Sequence, residues 1–336
     1  MPRVELARLL ALLEGFRRVR LAVVGDVVLD EYVFGDVERV SPEAPVPVVL
    51  VQRETQALGG AANVARNAVA LGGRIELLGF VGADDAGLRL REGARSLGAD
   101  PAGLVVVPDR PTTRKTRIVA RSQQLLRFDR ETQDPPAARE VAALLEGFDK
   151  ALARCHGVVV EDYAKGTLDD ALARELMARS RAAGRPVALD PKHSLAPYRG
   201  AELVKPNLRE AEALSGIRVR EPADLSRAVA ALREQVGAAH VVVTAGARGM
   251  TLFEGQAPPR EVPTLAREVF DVQGAGDTSI AALALALRAG ASLLEAAVIA
   301  NAAAGVVVGK VGTATAAPEE VAARLPEAIA ASEEPR

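Results

Sequence analysis

Short apolar runs that end in glycine or aspartate alternate with longer segments of helical apolar spacing along most of the chain. The runs LAVVGD (21–26), IELLGFVG (75–82), GVVVED (157–162), PVALD (186–190), ELVKPN (202–207) and HVVVTAG (240–246) predict strands buried on both faces. Between them the apolar period predicts helices near 60–71, 84–97, 136–152, 168–183, 207–214 and 223–236. Strand and helix in alternation predict an α/β fold with a mainly parallel sheet and helices on both sides. Ligands of such sheets sit beyond the carboxyl ends of the strands. Those ends carry Asp26, Asp30, Glu161, Asp162, Asp190, Asn207 and Thr244.

Two segments interrupt the alternation. Residues 31–55 hold three prolines among β-branched residues, which suits exposed edge strands better than a central one. Residues 112–129 have a two-residue period that places Lys115, Arg117 and Arg121 on one face. Together they predict a small β flap outside the main core; the cationic face is either a cover for a site or a solvated strand face. A third feature is the stretch EVFDVQGAGDTSIAALALALRAG (268–290). It opens as a buried strand with Val269 and Phe270, breaks at Gly274-Ala275-Gly276, and continues as an apolar helix with Asp277 at the join. Asp277 is there either as an N-cap or as part of an anion site, with helix-start amides facing a phosphate and the acid facing a hydroxyl.

With 336 residues, 49% hydrophobic and 26% charged, the chain can bury a sizeable core. A net charge of -2 gives no global basic field, so nucleic acid and anionic membrane are not expected partners. The single cysteine, Cys155, rules out an internal disulfide framework and suits a reducing, cytoplasmic setting. The N-terminal segment is studded with Arg and Glu, unlike a signal peptide, and no apolar run reaches the length of a membrane helix.

Several patterns carry less than they suggest. GAGDTS lacks the third glycine of a dinucleotide fingerprint, and AGVVVGKV (304–311) has Ala304 and Val311 where a P-loop needs Gly and Ser/Thr. His156, His193 and His240 have no metal-ligand spacing, and no G-x-S-x-G elbow is present. The paired Gly59-Gly60 before a helix that carries Asn63 differ, because backbone there can approach a ligand closely.

The stretches GGAANVARNAVALGG and DVQGAGDT resemble the two signatures of the ribokinase-like (PfkB-type) carbohydrate kinases, over nearly the whole chain. Within that family, VVGDVVLDEY, SPEAPVPV, QQLLRFD, DYAKG, LDPK, KPNLREAEAL and NAAAGVVVGKVGT are most similar to the D-glycero-β-D-manno-heptose 7-phosphate kinases. The resemblance implies a three-layer sandwich with a small β lid over residues 31–55 and 112–129, often used for homodimerisation. It implies ATP and Mg²⁺ as cofactors and a phosphosugar as acceptor, phosphorylated at C1. The kinase unit of some relatives is fused to a nucleotidyltransferase domain; residues 1–336 contain no H-x-G-H motif and are expected to form one kinase domain without it.

Site roles follow from the same resemblance, while the candidate phosphate-binding cations follow from their place on the flap face and at strand ends. Asp277 would be the base, with the amides of Gly274, Ala275 and Gly276 as anion hole. Asp30, Gly59, Gly60 and Asn63 would hold sugar hydroxyls, and at least one of Lys115, Arg117 and Arg121 the distal phosphate. Asp162 and Lys165 are further candidates on the acceptor side, and Lys192 on the nucleotide side. Asn207 and Glu210, the N-x-x-E of NLRE, would organise magnesium through water. Thr244, Gly246, Gly249 and Asn301 would line the nucleotide site. Helix-start position implies a lowered pKa and a weak base at Asp277. Gln273 departs from the threonine common before GAGD and puts in doubt a monovalent cation held near Asp271, Gln273 and backbone 306–315. Ser279 also stands where a bulkier residue is common. The same motifs would serve a ribokinase, a fructokinase, a nucleoside kinase or a catalytically idle sugar-binding protein.

Overall fold

A computed structural model of the chain describes residues 4–121, 123–265, 273–310 and 312–333. Helix α1 (Leu6–Gly15) precedes strand β1 (Arg20–Gly25), followed by the long strands β2 (Val27–Val40) and β3 (Pro47–Gly60). Then come α2 (Ala61–Ala70), β4 (Arg74–Gly82), α3 (Asp85–Ser96), β5 (Leu104–Val107), β6 (Arg114–Ala120) and β7 (Gln123–Arg130). The middle of the chain forms α4 (Ala138–Leu152), β8 (Gly157–Glu161), α5 (Asp170–Ala182), β9 (Val187–Asp190), β10 (Leu203–Val204), α6 (Leu208–Ser215) and α7 (Pro222–Val236). After β11 (His240–Thr244), β12 (Met250–Glu254) and β13 (Arg260–Val262) follow helices α8 (Ala275–Arg288), α9 (Leu293–Val308) and α10 (Pro318–Glu333).

Among the described residues the main sheet has nine strands in the order β13-β12-β11-β10-β9-β8-β1-β4-β5, parallel except where β12 meets β11 and β13. Alternate residues of β1 enter two separate cores. Leu21 and Val23 pack with α1, α2, α8, α9 and α10, whereas Ala22 and Val24 pack with α4, α5 and α7. That explains why β1 reads as an unbroken apolar run: both faces are covered by helices. From β1 the chain runs to β4 on one side and later to β8 on the other, so the strand order reverses between β1 and β8. A crevice opens at such a reversal, and the ligand site of an open α/β sheet lies there.

The flap is a second sheet, ordered β3-β2-β6-β7. The edge-strand expectation for 31–55 holds only for β3. β2 lies inside the sheet, antiparallel to β3 and parallel to β6, because Pro42, Pro45 and Pro47 fall in the turn and at the first residue of β3, where no ladder donor is lost. The common cationic face is also shorter than expected. β6 ends at Ala120, and Arg121 lies beyond it with a left-handed φ of 48°; opposite Ile118 and Val119 the pairing shifts by one residue, at Leu125 of β7. The predicted strand at 202–207 is only two residues long, continued by a parallel bridge between Asn207 and Thr244. The predicted strand at Val269 and Phe270 lies outside the described residues. Among the described residues no helix is long and apolar enough to cross a membrane.

Candidate active site

The join between the glycine turn and α8 departs from the N-cap reading. Gly274 is the N-cap, at φ 79° and ψ -5°, a left-handed conformation that glycine adopts without steric cost. Asp277 therefore stands third in the helix, and the first-turn amides of α8 have no intrahelical partner. Its carboxylate is buried and held from two directions. Asn63 Nδ2, from the first turn of α2, donates to Oδ2; the Tyr163 hydroxyl, from the loop after β8, donates to Oδ1 at 2.9 Å. Thr278 Oγ1 donates to Asn67 Oδ1 at 2.8 Å and fixes the register of α8 against α2. Contrary to the lowered pKa expected from the helix start, the Asp277 carboxyl is pushed up to about 6. Burial is the main cause, with Asp190 adding to it, while Asn63, Tyr163 and Lys205 oppose it.

Three consecutive parallel strands bring ionisable groups to the same place. Glu161 ends β8, Asp190 ends β9 and Lys205 follows β10; all three are buried. Oxygens of Glu161, Asp190 and Asp277 lie within 4.8 Å of one another, and Lys205 Nζ is 2.7 Å from Asp190 Oδ2. Among the described residues, both carboxylate oxygens of Glu161 and Oδ1 of Asp190 are buried without a hydrogen-bond partner. Burial pushes both acids up, Glu161 well above the carboxylate range. For Lys205 burial works against the charge, yet Asp190 and Glu161 outweigh it and raise the ammonium pKa. A Cβ on Gly276 would come 3.7 Å from Lys205 Nζ, which places this cation beside the Gly274–Gly276 turn. The sequence reading noted Glu161 and Asp190 as strand ends without giving them a role, and it missed Lys205. The available signal was that neighbouring parallel strands all end in ionisable residues.

A cavity of about 460 Å³ runs from this cluster toward α9. It is lined by the expected Lys192, Asn207, Glu210, Thr244, Gly246, Gly249 and Asn301 together with residues 274–277, and by the unforeseen Tyr163, Asp190 and Lys205. The N-x-x-E pair forms a reciprocal capping box: Glu210 N donates to Asn207 Oδ1 at 2.9 Å, and Asn207 N donates to Glu210 Oε2 at 2.8 Å. The other oxygen of Glu210 pairs with Lys192. Since both oxygens already have protein partners, a metal at this pair fits through water. The unpartnered oxygens of Glu161 and Asp190 are the hard donors that would suit Mg²⁺. Asn301 Nδ2 donates to Pro263 O at 2.6 Å, so it braces the wall while lining it.

The acceptor-side expectations divide. Arg117 Nη1 donates to Asp30 Oδ1 at 2.6 Å in a buried pair. A Cβ on Gly59 would lie 2.2 Å from Asp30 Oδ2, so glycine is what lets the two strands carry that carboxylate between them. Gly60 is the N-cap of α2 and Asn63 reaches Asp277 directly. Lys115 and Lys192 lie over the Tyr163 ring, 5.1 and 4.7 Å from its centroid, joining the two sides of the site. Lys165 Nζ is held 2.7 Å from Glu131. Asp162 is not brought to the cavity: its oxygens accept from the Tyr198 hydroxyl at 2.7 Å and Ala164 N at 2.9 Å. Arg121 and Arg117 line a separate groove of about 810 Å³ on the lid together with Arg53. Of the monovalent-cation region, Asp271 lies outside the described residues and Gln273 Oε1 accepts from the Tyr32 hydroxyl at 2.6 Å.

Comparison with known proteins adds to this geometry. The pfkB family of carbohydrate kinases matches over residues 20–320. The chain is 44% identical over 311 residues to the "Bifunctional protein HldE" of Desulfatibacillum aliphaticivorans, covering 92% of this chain and 64% of that protein. It is 48% identical over 293 residues to the protein of the same name from Caulobacter vibrioides, covering 87% and 60%. The chain thus spans less than two thirds of the length of these curated relatives. Among solved structures, an Arabidopsis thaliana ribokinase complexed with ribose and ATP superposes with a TM-score of 0.71 at 22% identity, covering 91% of this chain and 98% of that one.

Proposed function

The chain belongs to the pfkB family of carbohydrate kinases, and from that premise we propose that it transfers the γ-phosphoryl group of ATP to the C1 hydroxyl of D-glycero-β-D-manno-heptose 7-phosphate, giving the 1,7-bisphosphate. The observation that carries the transfer is Asp277, buried at the start of α8 beside the Gly274–Gly276 turn and Lys205. The heptose assignment rests on the sequence resemblance and on the cations gathered at the lid.

Asp277 takes the proton of the acceptor hydroxyl as its oxygen bonds to the γ-phosphorus. The bond from that phosphorus to the bridging oxygen breaks, and ADP leaves with the electron pair. Charge on the moving phosphoryl oxygens is met by the α8 amides and the Lys205 ammonium, fixed before the reaction and shielded from water. Asn63 and Tyr163 orient the Asp277 carboxylate. Glu161 and Asp190, with Asn207 and Glu210 through water, would hold magnesium, which would supply neutralisation of the nucleotide phosphates. Thr244, Gly246, Gly249 and Asn301 shape the nucleotide pocket, while Asp30 and Asn63 face the sugar hydroxyls. The distal phosphate is met by Lys115 and by the Arg117 and Arg121 groove. Exposed apolar residues of the lid, including Val40, Val51, Leu126 and Phe128, are the surface through which two copies would pair.

The test is ADP release with Mg²⁺-ATP across heptose 7-phosphate, sedoheptulose 7-phosphate, fructose 6-phosphate, ribose, fructose and adenosine. Preference for the heptose phosphate, with Asp277→Asn losing about 10²- to 10⁴-fold in kcat while still binding ATP, is expected. Preference for an unphosphorylated sugar would overturn the phosphate assignment and leave the kinase. No turnover with any acceptor would favour an idle sugar-binding protein.

A further inference from the structure

Asn63 can serve Asp277 only in one of its two amide orientations, because only its NH₂ end can donate to a carboxylate. Around the other end of that amide, Arg66 Nη2 donates to Asn63 Oδ1 at 3.0 Å and Asn67 Nδ2 donates to it at 3.2 Å. We infer that Arg66 is a positioning residue for the transfer: by occupying the oxygen of Asn63 it holds the amide with its NH₂ toward Asp277. The inference rests on Asp277 being the base.

Three observations carry it. Of the two donors that the described residues bring to Asn63 Oδ1, Arg66 is the nearer and carries the charge, and charge-assisted hydrogen bonds are the stronger kind. Asn67 also donates to the Asn63 backbone oxygen at 2.9 Å and accepts from Thr278 at 2.8 Å, so its amide is committed mainly to joining α2 and α8. Finally, the same Nη2 donates to the Thr313 carbonyl, beyond α9. Asn63 and Thr313 are both neighbours of Gly274: a Cβ there would lie 3.0 Å from Asn63 Nδ2 and 3.9 Å from Thr313 Cγ2. One guanidinium thereby ties the acceptor-side helix, the base and the anion turn into one rigid unit. Without it the amide could turn over, bringing its oxygen against the carboxylate, and Asp277 would lose a partner on the side facing α2.

The experiment uses Arg66→Met, with Arg66→Lys as a milder variant should the first not fold, and Asn63→Ala for a double-mutant cycle. In the ligand-free protein, side-chain amide NMR resonances of Asn63 are assigned by their loss in Asn63→Ala. The expected result is a downfield, exchange-protected Asn63 proton in wild type whose protection falls about tenfold or more in Arg66→Met, as expected for a lost buried hydrogen bond. In turnover, Arg66→Met is expected to lose about 10- to 100-fold in kcat with KM for ATP nearly unchanged, and Arg66→Lys to recover part of the loss. In the Asn63→Ala background the same change should alter kcat by less than about threefold, because the two residues act in series. An unchanged Asn63 signal in a folded Arg66 variant, or kcat losses that multiply in the double variant, would overturn the inference. The amide measurement needs no substrate, so it decides the position of Asn63 even if no acceptor is turned over and the kinase reading fails.

Discussion

Asp277 stands where two electrostatic effects oppose each other. A helix start favours its anion, yet burial and the neighbouring Asp190 disfavour it more, and the group settles at about 6. A base must be deprotonated to work, so kcat/KM is expected to fall as pH drops through about 6, with a slope of about one, and to level off above it. A pH–rate profile measures this directly; a flat profile from pH 5 to 8, roughly, would remove Asp277 as the titrating base. Lys205 makes the second residue-scale prediction. Its ammonium is the hydrogen-bonding partner of buried Asp190, so Lys205→Met leaves an uncompensated acid and is expected to cost about 3–5 kcal/mol in denaturant unfolding as well as turnover. Full stability in that variant would mean that Asp190 is protonated and needs no partner.

At the scale of elements, the lid is where the sequence pattern was most and least informative. Its existence was legible from the proline-rich and two-residue-period segments. The interior place of β2 and the bulge in β7 were not, because strand order and register depend on partners far away in the chain. The placement of the cations alters the phosphate-clamp idea: Lys115 faces Tyr163, Arg117 is engaged by Asp30, and Arg121, beyond the end of β6, stands apart on the groove. Replacing Lys115, Arg117 and Arg121 together by Ala is expected to raise KM for the phosphosugar by about tenfold or more, since charge-assisted contacts to a phosphate are lost. A KM equal to wild type would remove the clamp. Phe128→Glu, on an exposed lid strand, is expected to convert a dimer to monomer in sedimentation experiments; a wild-type monomer would remove the lid interface.

At the scale of the whole molecule, the site costs stability. Between the ordinary Asp value of 3.8 and about 6, folded Asp277 keeps a proton that the unfolded chain has lost. Stability therefore falls as pH rises through that window, and above it the site costs on the order of 3 kcal/mol. Glu161 and Asp190, also raised, act in the same direction. Asp277→Asn removes the Asp277 share, so its urea midpoint should gain on wild type as pH goes from about 4 to about 6.5; parallel curves would refute the raised pKa.

The sequence by itself determined the alternation of strands and helices, the Gly274–Asp277 turn, the N-x-x-E cap and the family resemblance. Each is local: apolar period, turn chemistry and capping act over a few residues. Only the tertiary structure decided that Lys205 meets Asp190 and Glu161, that Asn63 and Tyr163 hold Asp277 from opposite elements, and that Asp162 turns away to Tyr198. Those outcomes follow from parallel strands placing their carboxyl ends side by side and from burial, which raised Asp277 against its helix dipole. Neither strand adjacency nor desolvation is written in any short stretch of the chain.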